Sequence, residues 1–280
     1  EHALLAPGAG SDLNVLREDL PQGSELAQLV GERLAEKWLE AVDDATAQAR
    51  EFNVDIRFGV LDRQHLQVNE RAETLLHDRI VFGVPAMGGA EDGRSFMYRL
   101  GLARPGHKSK RFAPNHPQHP KAVALHGIQQ AYRDIRGLDI SPQLPLHVLR
   151  VGGLVLATVP GEPTVMTGHH IEAALASCGE TDSRLTPGPP GSVGRDFSTG
   201  NLCFESASVA LRPRIRVVGY AGDYSSYITT YQEYGRQSYE AASTLLGRNT
   251  AKHIEALLVA IADLPAPHPE GGVAVFDTML

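Results

Sequence analysis

Two β-rich runs, at 146–151 and 154–159, are joined by the dipeptide Gly152-Gly153. Glycines between alternating apolar runs are a strong hairpin signal, because the tight turns that match strand twist need positive φ. Pro160-Gly161 closes the second run, and helical spacing follows from 164 to 177 with Gly179 as a stop. A further strand covers 214–221. Thr230 and Glu233 form a Thr-x-x-Glu capping box, which predicts one helix from Tyr231 to Gly247. A second helix spans 250–262. Strands that alternate with helices imply an α/β fold, β-sheets flanked by helices.

Upstream, residues 1–22 are punctuated by Gly and Pro and read as a surface lead-in. Ser24 can cap a helix whose apolar residues, Leu26, Val30, Leu34, Trp38 and Val42, recur every four positions. Residues 53–61 alternate through Val54, Ile56, Phe58 and Val60, a strand pattern. The stretch 83–120 is rich in Gly and Pro, and a loop of such length is usually functional or partly disordered. It carries His107, His116 and His119, but Pro117 and Pro120 exclude a helical ligand face, so these read as surface histidines.

Net charge is −7 with both signs spread along the chain, which argues against a nucleic-acid partner. The cluster Lys108, Lys110 and Arg111 reads as a solvated loop. No run of eighteen apolar residues exists, so no transmembrane segment is expected. The sequence opens at Glu1 without Met and stops at Leu280 just after a strand-like run, as if both ends were cuts through a longer polypeptide. The two cysteines, Cys178 and Cys203, bracket a Pro/Gly-rich loop at 180–201. A bond between them would staple that loop in an oxidising compartment, and a secreted or extracytoplasmic location goes with the bonded reading. Two buried thiols are the alternative.

Two strand-to-helix junctions carry candidate chemistry. Glu162 follows one strand and precedes a helix; Tyr224 and Tyr227 do the same at the other. Ligands of α/β sheets gather where strands hand over to helices. Spacing alone favours the plainer alternative, a capping glutamate and two packed tyrosines.

A longer pattern changes that balance. The stretch Tyr224-Ser-Ser-Tyr-Ile-Thr-Thr-Tyr-Gln-Glu-Tyr234, continued by Gln237-Ser-Tyr-Glu-Ala-Ala-Ser-Thr-Leu-Leu-Gly247, resembles the neutral/alkaline ceramidases. Their segment reads N-x-Y-x-x-Y-x-T-T-x-E-E-Y, then Y-E-(A/G)-(A/G)-S-T-x-x-G. Val159-Pro-Gly-Glu-Pro-Thr-Val-Met-Thr-Gly168 is similar to their V-P-G-E-F-T-T-M-x-G, and Gly89 with Asp92-Gly93 matches A-G-x-x-D-G. The resemblance covers chiefly 145–250.

What the resemblance implies is a zinc (Zn2+) amide hydrolase acting on N-acyl sphingosine, a ceramide-like lipid. The family's zinc is held by two histidines, a glutamate and a tyrosine. By position the glutamate corresponds to Glu162 and the tyrosine to Tyr227, with Tyr224 as the reserve candidate. Tyr239 corresponds to a catalytic tyrosine lining the same pocket. Segments like T-H-T-H-S, F-x-V-H-x-T-S-M and G-D-x-S-P-N, which bear the histidines and a serine, do not occur in this sequence. His169-His170 stands where the family has arginines.

The expectation is therefore that residues 1–264 are the C-terminal half of a catalytic domain, with 265–280 a linker and the start of a following segment. The N-terminal half would be a separate or removed polypeptide. Gly222 replaces the family's Asn, and Pro163 replaces its Phe. Those departures, with the 180–201 insertion, leave open a hydrolase of another N-acyl or ester lipid, or a non-catalytic subunit.

Overall fold

The computed structural model describes residues 7–13, 21, 23–47, 54–62, 76, 80–91, 93–124, 140–151, 153–178, 214–263 and 274–276. Its strands are β1 (Val54–Asp62), β2 (Gln143–Val151), β3 (Leu154–Thr158), β4 (Glu162–Pro163), β5 (Arg214–Val218), β6 (Tyr227–Ile228) and β7 (Ala274–Phe276). The helices are α1 (Ser24–Ala47), α2 (Phe96–Arg99), α3 (Val165–Cys178), α4 (Tyr231–Arg236), α5 (Tyr239–Ser243) and α6 (Thr250–Ala262). The 180–201 loop and Cys203 lie outside the described residues, as does the Cys178 side chain. The disulfide expectation therefore falls there too.

The main sheet runs β5-β3-β2-β1-β7. β2 and β3 form the predicted hairpin, with Val151 opposite Leu154. β1 is antiparallel to β2, whereas β5 beside β3 and β7 beside β1 are parallel. The strand-like run near the C-terminus thus forms an edge of this sheet.

Alternate positions of the hairpin, Leu144, Leu146, Val148, Val155 and Ala157, point into one core with Ile215 and Val217. Helices α3 and α6 pack on each other over that face and contribute Ile171, Leu175, Ile254, Leu258 and Ile261. Fully burying an aliphatic side chain of this size stabilises by about 1.5–3 kcal/mol. The architecture is α/β, a mixed sheet flanked by helices.

β1 places its residues in an instructive way. Arg57 lies on the core side at 7% exposure, while Val54 and Ile56 face outward at 58% and 37%. Arg57 donates to the carbonyl of Ala262 and pairs with Asp55 at 2.8 Å; Arg150 donates to the same carbonyl at 3.2 Å. Both cations therefore sit at the C-terminus of α6, where the helix dipole favours them. The opposite sheet face carries Phe58, Val60, Leu149 and Leu156, all only half-buried.

Helix α1 forms as expected, yet its stripe is not a buried one. Leu26 is buried, but Leu34 and Trp38 remain 61% and 44% exposed.

The single helix expected over 231–247 is instead two. Gln237 adopts φ 55° and ψ 47°, the left-handed region, and ends α4. Its buried side chain donates to the Tyr234 carbonyl at 2.7 Å, and its own carbonyl accepts from Gly106 N–H at 2.9 Å. These two bonds, one local and one from a distant loop, hold a conformation that a non-glycine residue otherwise avoids.

Residues 80–124 pack onto this break rather than looping free. Gly83 N–H donates to Ala242 O at 2.9 Å, and a Cβ on Gly83 would lie 2.8 Å from that of Ala242, so only glycine permits the approach. Lys121 is fully buried beneath, its ammonium donating to Val81 O at 2.8 Å and Thr244 O at 2.7 Å. Gln118 bridges Leu245 O and the Tyr234 hydroxyl, at 2.7 and 2.8 Å. His116 and His119 are half-buried rather than surface groups. His116 stacks on Phe112 at 4.3 Å, and His119 Nδ1 lies 3.1 Å from Phe112 O.

Candidate functional site

β3 and β5 are parallel neighbours, and each runs beyond its end into a two-residue strand and then a helix. Those short strands, β4 and β6, pair with each other, and the register sets Glu162 opposite Tyr227. Glu162 N–H donates to Ser226 O at 2.9 Å, and Thr164 N–H donates to Ile228 O at 3.1 Å. The two strand-to-helix junctions named from sequence are thus one place.

Several local devices fix it. A Cβ on Gly161 would fall 2.5 Å from Ser226 O and 2.8 Å from Ser225 Oγ, so the turn before Glu162 must be glycine. Ser225 N–H and Oγ both donate to Pro160 O, at 2.8 and 2.5 Å. Tyr220 and Ser226 hold positive φ, 55° and 69°, the kind of backbone strain that clusters at functional sites. Behind the strands, one oxygen of Glu233 accepts from Thr230 N–H and Thr230 Oγ1, at 2.8 and 2.9 Å. Thr164 Oγ1 donates to the same oxygen at 2.9 Å. The capping box of α4 is therefore also a clamp on the start of α3.

The Glu162 carboxylate is the centre of a tyrosine cluster. Tyr224 OH donates to Glu162 Oε1. Tyr220 stacks on Tyr224 with centroids 6.2 Å apart. Tyr227 meets Tyr239 edge-on at 5.4 Å and 78°. Tyr239 reaches this position because α5 restarts after the break at Gln237. One uninterrupted helix would send residue 239 onward in the direction of α4.

Burial, and then the hydrogen bond and charge of Glu162, push the Tyr220 phenol up to about 12. Burial first and Glu162 second also raise Tyr224 and Tyr227. All three phenols are therefore protonated near neutral pH and present O–H donors toward the carboxylate. Tyr220 was not apparent from sequence, since a lone tyrosine after a strand has no pattern of its own. Its neighbour Gly219 packs closely on the turn before Glu162, where an added Cβ would fall 3.1 Å from Pro163 Cδ and 3.2 Å from Gly161 O.

Which cation the cluster would suit is decided by its donor chemistry. A carboxylate and a phenol are oxygen donors of the kind zinc accepts, and a cation between them would lower the raised phenol. Among the described residues no group of three His, Cys, Asp or Glu side chains converges. His169 and His170 are exposed on α3, and His116 and His119 are engaged in their own loop. Glu162 and Tyr227 thus fit part of a zinc site, two ligands where a catalytic site takes three protein ligands and a water.

Comparison with known proteins bears on the same segments. Residues 17–255 match the family described as neutral/alkaline non-lysosomal ceramidase, N-terminal. The chain is 30% identical over 250 residues to neutral ceramidase 3 of Arabidopsis thaliana, covering 82% of this chain and 30% of that protein. It is 27% identical over 244 residues to the neutral ceramidase of Mycobacterium tuberculosis, covering 78% and 30%. A solved neutral ceramidase from Pseudomonas aeruginosa superposes with a TM-score of 0.45 and 23% identity, over 80% of this chain and 30% of that one. The chain spans about a third or less of the length of these relatives. The match is to the N-terminal region of such proteins, so the expected placement in a C-terminal half has no support from it. The chain belongs to the neutral/alkaline non-lysosomal ceramidase family.

Proposed function

We propose that this chain forms part of a zinc-dependent amide hydrolase that cleaves N-acyl sphingosine to a fatty acid and a sphingoid base. The observation that carries the reading is the register pairing of Glu162 with Tyr227, with Tyr239 edge-on to the latter. Glu162 and Tyr227 would hold the metal together with two histidines from outside this sequence. Bound there, zinc would polarise an amide carbonyl and lower the pKa of a water. Tyr224, through its bond to Glu162 Oε1, keeps the carboxylate oriented. Tyr239 offers its O–H to the oxygen that gains charge as the amide is attacked.

Residues carrying the histidines need a surface to dock on. The sheet face with Phe58, Leu149 and Leu156 is apolar and only half-buried, which supports a second piece of the same domain packing there. A bond between Cys178 and Cys203 and a secreted or extracytoplasmic location go with this reading. So does a catalytic domain reaching to 264, followed by a linker. Gly222 and Pro163 at the site favour a second reading in one respect, a substrate that is another N-acyl or ester lipid. A panel of N-acyl sphingosines and fatty esters, assayed for fatty-acid release by the zinc-loaded complex of both pieces, tests the proposal. Release from esters alone would reject the amide assignment.

A further inference from the structure

Residues 94–121 contain seven of the chain's 26 lysines and arginines and none of its 33 acids. Lys121 is the buried member of the seven; Arg99, Arg104, Lys108, Lys110 and Arg111 are exposed. In a chain of net charge −7 this is a local reversal of sign. The same segment presents apolar side chains to solvent: Phe96 is 69% exposed, Leu100 54% and Leu102 53%. Phe96 and Leu100 are four residues apart at the ends of the α2 turn, so they share a side of it.

This face is held, not slack. Ser95 caps α2 by accepting from Tyr98 N–H, and its hydroxyl donates to Met87 O at 2.6 Å. The Arg94 and Arg104 guanidiniums lie 4.4 and 5.9 Å from the Tyr98 ring centroid. Alongside, His107, Lys108, Ser109 and Arg111 line a cleft of about 300 Å³. The Gly106–Gln237 bond ties the segment to the break that positions Tyr239.

Arg94 pairs with Glu91 at 3.6 Å, but among the described residues Arg99, Arg104, Lys108, Lys110 and Arg111 form no ion pair. Such cations suit an anionic partner, and the apolar side chains decide which kind. A nucleic acid backbone gains little from bare Phe and Leu side chains. A lipid interface uses both features, apolar groups in the acyl boundary and basic groups at the headgroups. We propose that residues 94–111 form a docking surface for an anionic lipid bilayer. Phe96, Leu100 and Leu102 enter the acyl boundary, and Lys108, Lys110 and Arg111 meet the headgroup phosphates. This proposal is separate from the amide-hydrolase reading, because vesicles free of any amide lipid test it.

The full chain is floated with vesicles of phosphatidylcholine alone, or of phosphatidylcholine with phosphatidylglycerol, at low and high salt. The expected result is selective binding to the anionic vesicles that weakens as salt rises. Neutralising three surface cations (Lys108→Ala, Lys110→Ala, Arg111→Ala) lowers that binding by about 10- to 100-fold. The pair Phe96→Ser and Leu100→Ser removes the part that survives high salt. Circular dichroism keeps lost binding distinct from lost fold, and the salt and lipid dependence of the unaltered chain needs no variant. Absence of flotation with either vesicle overturns the proposal, as does equal binding to both at every salt concentration. So does a self-associated chain, detected by sedimentation, that floats with neither.

Discussion

Glu162 and Tyr227 face each other across a two-stranded parallel ladder, although they come from different strand-to-helix junctions. The ladder exists because β3 and β5 are themselves parallel neighbours and both continue in the same direction. The site is thus an extension of the main sheet. Its geometry depends on backbone contact at Gly161.

That contact makes Gly161→Ala a sharp probe. The added methyl would lie 2.5 Å from Ser226 O and 2.8 Å from Ser225 Oγ, distances at which something must move. The expected cost is about 1–3 kcal/mol, in line with overpacking elsewhere. Urea denaturation measures it. If Tyr227 holds zinc as proposed, metal content of the complex with the second piece should fall as well, because the displaced backbone is the one that carries Tyr227.

Glu233 should matter more than an ordinary capping residue. A surface cap contributes about 1 kcal/mol, but this carboxylate also accepts from Thr164 at the start of α3. Glu233→Ala is expected to cost about 2–3 kcal/mol, the sum of a cap and a charge-assisted hydrogen bond. Thr230→Ala, which leaves the Thr164 bond in place, should cost about 1 kcal/mol. Chemical denaturation of both variants gives the comparison, and equal losses would contradict the clamp.

Lys121 gives a pH signature. Burial holds its pKa well below the ordinary 10.5. Between its folded-state pKa and 10.5 the unfolded chain binds the additional proton, so raising the pH through that window favours the fold. The raised phenols of Tyr220, Tyr224, Tyr227 and Tyr234 act oppositely, withdrawing stability as pH climbs past 10, because the unfolded phenols ionise first. Lys121→Met therefore isolates the lysine. The difference in unfolding free energy between wild type and variant should grow in favour of wild type as pH rises from neutrality toward 10. A difference that stays flat with pH would contradict a lysine held below its ordinary value.

Much of this was legible in the chain itself, for identifiable reasons. The Gly152-Gly153 hairpin and the Thr230–Glu233 box are local signals, each decided by residues within a few positions, and both form as expected. The juxtaposition of Glu162 with Tyr227 followed from the rule that strand ends gather ligands in α/β sheets. The break at Gln237 was not legible, since its left-handed conformation depends on Gly106 from a distant loop. Nor was the outward turn of Val54 and Ile56. Arg57 on the core side is satisfied by Asp55 and by the C-terminus of α6, the latter a partner far along the sequence. The tyrosine cluster was half legible: Tyr224, Tyr227 and Tyr239 lie in an extended motif, whereas Tyr220 joins through tertiary packing.

The central claim is that Glu162 and Tyr227 supply two ligands of a zinc site whose other ligands lie outside this sequence. Its most direct test is zinc content by elemental analysis, measured beside hydrolysis of a fluorescent N-acyl sphingosine. The 280-residue chain alone should retain little zinc and show no turnover. Joined to a polypeptide bearing the histidine segments, it should hold zinc stoichiometrically and turn over substrate. In that complex Glu162→Ala should lose the metal, while Tyr239→Phe should keep it and slow turnover by about 100-fold, the scale of losing one oxyanion donor. Stoichiometric zinc and full activity in the 280-residue chain alone would contradict the account.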